Sequence, residues 1–104
     1  MEKETRLIPA SACCTNYNVE YTFIQTLEEV GLIEVHRVQE QSFVPQNQLS
    51  ALEQYTRLYN ELGINTAGIE VITHLLQRMR TLQEELASLR QRLSLYEEAG
   101  YYDH

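Results

Sequence analysis

The sequence predicts a mainly α-helical chain: a compact helical head with a small β-hairpin, then one long coiled-coil-type helix. Three observations carry that expectation. Apolar residues recur at three- and four-residue steps through Val19–Val30 and again through Leu49–Leu62. Between these runs lies a short stretch of β-formers, Leu32 to Val44. After them an unbroken heptad seam extends from Ile72 to Tyr96.

Each element follows in order. Residues 1–6 read as a frayed, charged end. Pro9 followed by Ala10-Ser11-Ala12 suggests a short first helix that stops at Asn16-Tyr17-Asn18, since asparagine tolerates the left-handed conformation of a tight turn. Val19, Phe23, Ile24, Leu27 and Val30 make the apolar face of a second helix, and Gly31 supplies its C-terminal cap. Helix, turn and helix in this order is a helix-turn-helix layout. Leu32, Ile33, Val35, Val38, Phe43 and Val44 then predict a two-stranded hairpin, or wing, with Gln39-Glu40-Gln41-Ser42 between its halves. A third helix from about Pro45 or Gln46 to Leu62 presents Leu49, Leu52, Tyr55, Leu58, Tyr59 and Leu62 on one face. Gly63 closes it. Asn65 or Thr66 caps the last helix, expected over residues 65–98. Residues 1–64 therefore form the head, and residues 99–104 a disordered tail.

In the last helix Ile72, Leu75, Met79, Leu82, Leu86, Leu89, Leu93 and Tyr96 fall at alternating steps of three and four. At ~1.5 Å per residue this helix is about 50 Å long, more than a head of this size can cover. Its first turns, Ile69 to Leu76, are expected to pack on the head. From Met79 onward the seam wants another helix, and a second copy of the chain is the simplest supplier. A parallel pair matches Glu85 with Arg90 and Arg92 with Glu97; an antiparallel pair matches Arg78 with Glu85, so the charges leave direction open.

Composition removes several functions. The chain has 104 residues and a formal charge of −7. Phosphate neutralisation needs Lys and Arg, so nucleic acid is a poor partner. No apolar run approaches a membrane span, and the charged start is not followed by a signal-peptide core. The cytoplasm is the expected compartment. Cys13 and Cys14 are adjacent, which strains a disulfide, and neither has zinc spacing with the scattered His36, His74 and His104. At least one thiol is expected to be a buried small hydrophobe. Glu28-Glu29 and Glu84-Glu85 point to different sides of their helices and read as solvated faces. His74, among Ile72, Leu75 and Leu76, reads as a packed or half-buried helix residue. No glycine-rich phosphate loop and no nucleophile with a base is visible. The expectation is a non-enzyme with no catalytic residue, no metal, no cofactor and no small-molecule substrate.

Leu27-Glu28-Glu29-Val30-Gly31-Leu32-Ile33, the run Leu58–Ile64 and Gly68-Ile69-Glu70 resemble segments of MerR-type regulators, which bind DNA as dimers through a winged helix-turn-helix. The chain departs from the DNA-binding members. Where they carry Arg-Tyr-Tyr in the second helix it has Gln25-Thr26-Leu27, and where their wing tip is basic it has Gln41-Ser42-Phe43-Val44. Between Glu20 and Leu62 stand seven glutamates, with Arg37 and Arg57 the only bases.

A family with this layout but without DNA contacts is the CbpM-like chaperone modulators. The chain resembles them in Leu32-Ile33-Glu34, in Glu61–Glu70, in Leu75–Met79 and in Leu89–Leu93. That resemblance implies a bacterial, dimeric chaperone modulator. It would bind the J-domain of a CbpA/DnaJ-type co-chaperone and keep it from stimulating DnaK. J-domains present a basic helix, and an acidic surface can occupy it. The expected surface is Glu20, Tyr21, Glu28, Glu29 and Glu34 around the second helix, with Glu53, Arg57 and Glu61 on the third. Tyr21, Tyr55 or Tyr59 would be its apolar anchors. The alternatives are a MerR-like DNA-binding transcriptional regulator and a coiled-coil adaptor with another partner.

Overall fold

The computed structural model describes residues 5–100. It is mainly helical. The elements are β1 (Leu7–Pro9), α1 (Ala10–Tyr17), α2 (Tyr21–Glu29), β2 (His36–Val38), β3 (Gln41–Pro45), a 3-10 turn at Gln46–Gln48, α3 (Leu49–Leu62) and α4 (Thr66–Ala99). The chain forms two units, Met1–Glu70 and Val71–His104.

α1 follows Pro9, whose fixed φ suits the entry to a helix. It ends at Asn18, which takes the left-handed conformation at φ 56° and donates its N–H to the Cys14 carbonyl. The second helix begins at Tyr21, two residues later than its apolar period suggests, because Val19 and Glu20 belong to the turn. Phe23, Ile24 and Leu27 are its buried face. Gly31, at φ 83°, lets Leu32 donate its N–H back to the Leu27 carbonyl at 2.9 Å. A side chain at Gly31 would have room; the backbone angle is what requires glycine.

The wing differs from a two-stranded hairpin. It is a three-stranded antiparallel sheet in the order β1-β3-β2. Leu7 pairs with Pro45 and Ile8 with Val44, while His36 pairs with Phe43 and Val38 with Gln41. The added strand is too short to show a period, so its β-character comes from β3 offering a free edge. Arg6 is held as well: its carbonyl accepts the Gln46 N–H at 2.7 Å, which shortens the expected frayed end. Leu32, Ile33 and Val35 are not strand; Ile33 instead enters the core. The β2–β3 connection has two residues, not four. Gln39 and Glu40 both have positive φ, 53° and 65°, as a tight hairpin between twisted strands requires.

The third helix starts at Leu49, after the 3-10 turn, and stops at Gly63 in the left-handed region at φ 68°. Leu52 and Tyr55 are buried, but Leu62 is 67% exposed and is not part of the core face. α4 is capped by Asn65, whose side-chain oxygen accepts the Gly68 N–H at 2.8 Å. A Cβ on Gly68 would stand 2.7 Å from Ile64 Cγ2, so the close approach of this turn uses the missing side chain.

The core of the first unit joins Cys13, Val19, Phe23, Ile24, Leu27, Ile33, Val44, Leu52, Tyr55 and Ile69. Only Ile69 of the Ile69–Leu76 stretch is buried; Ile72 is half-buried, and Val71, Leu75 and Leu76 are exposed. His74 is exposed rather than packed. In the second unit Met79, Leu82, Leu86, Leu89 and Leu93 stand between 49% and 60% exposed. Residues 1–4 and 101–104, parts of the expected ends, lie outside the described residues; Ala99, placed in the expected tail, is the last residue of α4.

Candidate partner-binding surface

Eight residues of the head were expected to form one acidic face, and they have unequal surroundings. Glu28, near the end of α2, is not a free carboxylate. Arg37 of β2 grips it through both guanidinium nitrogens, at 2.9 and 3.1 Å. These hydrogen bonds, with the arginine charge, outweigh partial burial and hold the Glu28 carboxyl below its ordinary range. Glu53 is likewise engaged by Arg57, one helical turn on, at 3.1 Å. Glu34 lies 3.7 Å from His36. Glu20, Glu29, Glu40 and Glu61 are exposed and make no ion pair among the described residues.

The tyrosines also divide. Tyr55 is 7% exposed, and its hydroxyl donates to the Leu32 carbonyl at 3.3 Å. It is a core residue that ties α3 to the chain after α2, and it cannot anchor a partner. Tyr59 is 41% exposed, with its ring centroid 4.4 Å from that of Phe23. Tyr21 is 37% exposed and shares a 2.7 Å hydrogen bond between its hydroxyl and the Ser42 hydroxyl. The wing is thus tied to α2 near its start by Tyr21–Ser42 and near its end by Glu28–Arg37.

Two open clefts flank the start of α2. One, of about 580 Å³, brings Glu20 together with Thr22, Thr26 and Tyr59. The other, of about 660 Å³, brings Glu20 and Tyr21 together with Glu40 and Ser42 of the wing. Glu20 is shared by both. Glu40 is the member that residue patterning misses. Its place is set by a two-residue turn, and an exposed glutamate in a polar stretch carries no period to mark it.

Cys13 is buried and Cys14 half-buried, both as free thiols. Burial pushes both thiols up from their ordinary range, and Cys14 raises Cys13 further. Neither is primed as a nucleophile. Among the described residues no group of three or more His, Cys, Asp and Glu could hold a metal ion. No described helix is long and apolar enough to cross a membrane.

A model of the MerR HTH family of regulatory proteins matches residues 8–91. The match runs from β1 through most of α4. The chain belongs to the MerR HTH family. No curated protein and no solved structure gives a significant match. Both arginines of the Glu20–Leu62 stretch are ion-paired within the head.

Proposed function

We propose that this MerR-family chain is a non-enzymatic chaperone modulator. It binds the basic helix of the J-domain of a CbpA/DnaJ-type co-chaperone in the cytoplasm, and so inhibits the co-chaperone's stimulation of DnaK. The observation that carries the reading is the sign of the head. Between Glu20 and Leu62, Arg37 and Arg57 are ion-paired with Glu28 and Glu53, while Glu20, Glu29, Glu40 and Glu61 stand unpaired among the described residues. Such a surface attracts a cationic protein and steers its approach. The resemblance to CbpM-like modulators supports the choice of partner. Tyr21 and Tyr59 supply exposed aromatic area beside Glu20.

Dimerisation belongs to the same reading. Met79, Leu82, Leu86, Leu89 and Leu93 make an exposed apolar stripe that a second copy would cover. The test is calorimetric titration of the full chain with a J-domain co-chaperone at low salt, with DnaK ATPase as the readout of inhibition. Binding with loss of stimulation supports the proposal, and no binding at low salt overturns it. The alternative reading within the MerR family is a DNA-binding regulator. That reading requires a gel shift at ~50 mM salt with a steep salt slope.

A further inference from the structure

The cleft between α1, the start of α2 and the wing turn has a composition that fits one kind of occupant. Its α1 side carries Ser11 and Cys14, one helical turn apart and both small, over a floor that includes the buried Ala10 and Val19. Tyr21 and Ser42, joined at 2.7 Å, hold the wing against α2 along one wall. Glu20 and Glu40 line the same cleft from two different elements, and among the described residues that line it none is basic; the Arg37 guanidinium lies against Tyr21 of its wall. Much of the lining is apolar carbon. Two carboxylates standing over an apolar floor match a long aliphatic stem with a cationic head.

We propose that this cleft is a socket for a single lysine or arginine side chain projecting from a partner protein. The stem lies along Ala10, Cys14 and Val19, and the charged head reaches Glu20 and Glu40. The assignment rests on the reading of the head as a protein-binding surface, and it names the subsite where that surface grips. The wing turn supports it. Gln39 and Glu40 hold left-handed backbone that glycine or asparagine would take more readily. A glutamate there places a carboxylate in the cleft at the expense of an easier turn.

The test uses the full chain, isotopically labelled, and a synthetic amphipathic helical peptide with Lys and Arg along one face. The expected result is amide shifts concentrated at Ser11, Cys14, Glu40 and Ser42, with slower alkylation of Cys14 when the peptide is bound. Glu20→Gln and Glu40→Gly should each weaken the peptide roughly tenfold. Glu84→Gln, on α4, should leave it unchanged. Glu40→Gly is the informative variant, because it relaxes the turn and so keeps the fold while removing the carboxylate. Peptide binding that ignores both cleft variants, shifts confined to other surfaces, or no peptide binding overturns the socket. Failure of the J-domain titration overturns the co-chaperone reading alone. J-domain binding with a silent cleft overturns the socket alone.

Discussion

At the scale of single residues, two ion pairs, Glu28–Arg37 and Glu53–Arg57, engage the arginines of the Glu20–Leu62 stretch. Glu28 and Arg37 form the best-aligned pair, with two parallel hydrogen bonds. Because the folded carboxyl of Glu28 titrates below its unfolded value, its contribution is present above the unfolded pKa, ~4.3, and is lost as pH falls through the folded value. The pair is at the surface, so Glu28→Gln should cost only about 1 kcal/mol or less at pH 7. Urea midpoints of wild type and variant should differ at pH 7 and converge as the pH falls through the folded value of Glu28. A gap that persists in full acid, below that value, would mean the side chain acts through packing instead. Leu27, fully buried in the core, predicts a larger effect: Leu27→Ala should lose about 3 kcal/mol in the same assay. The residue scale is also where sequence patterning misplaced roles. Glu28 and Tyr55 look like surface groups on helical spacing. Their partners, Arg37 and the Leu32 carbonyl, lie 9 and 23 residues away and are joined only by the fold. Glu53 and Arg57 are one turn apart, so that pairing was open to sequence reasoning.

At the scale of elements, four helices and their stops were legible for local reasons. Asn18, Gly31 and Gly63 take left-handed backbone where the apolar period breaks, and caps of this kind act within a few residues of their cause. The third strand was not legible, because Leu7–Pro9 is β only by pairing with Phe43–Pro45. Tertiary pairing decided that element, and no local propensity announces it. The cap of α4 allows a direct check. Asn65→Ala removes the acceptor of the Gly68 N–H and should cost about 1 kcal/mol of thermal or urea stability. At the wing, Glu40→Gly should stabilise the fold by ~1 kcal/mol, since a non-glycine residue leaves the left-handed region. A destabilised Glu40→Gly protein would show that the glutamate side chain supports the turn.

At the scale of the whole molecule, acidity concentrates in the stretch before the long helix and exposed leucine in the long helix itself. The stretch Glu20–Leu62 holds seven glutamates against two arginines, whereas Asn65–Glu98 holds five acids and four bases. The long helix keeps its leucines at 49–60% exposure in the run from Leu82 to Leu93. If a second copy covers that stripe, changing Leu86 and Leu89 to Ser should lose several kcal/mol across two chains. Light scattering would then report a monomer where the wild type is a dimer at micromolar concentration. A wild-type monomer would instead leave the stripe to another partner. The central claim is that a MerR-type scaffold has turned from phosphate to a cationic protein. Its most direct measurement is one titration of the full chain, at low salt, with a J-domain co-chaperone in one cell and duplex DNA in the other. The account predicts heat and saturation with the J-domain, weakening as salt rises, and none with DNA. Saturable DNA binding with a silent J-domain would contradict it.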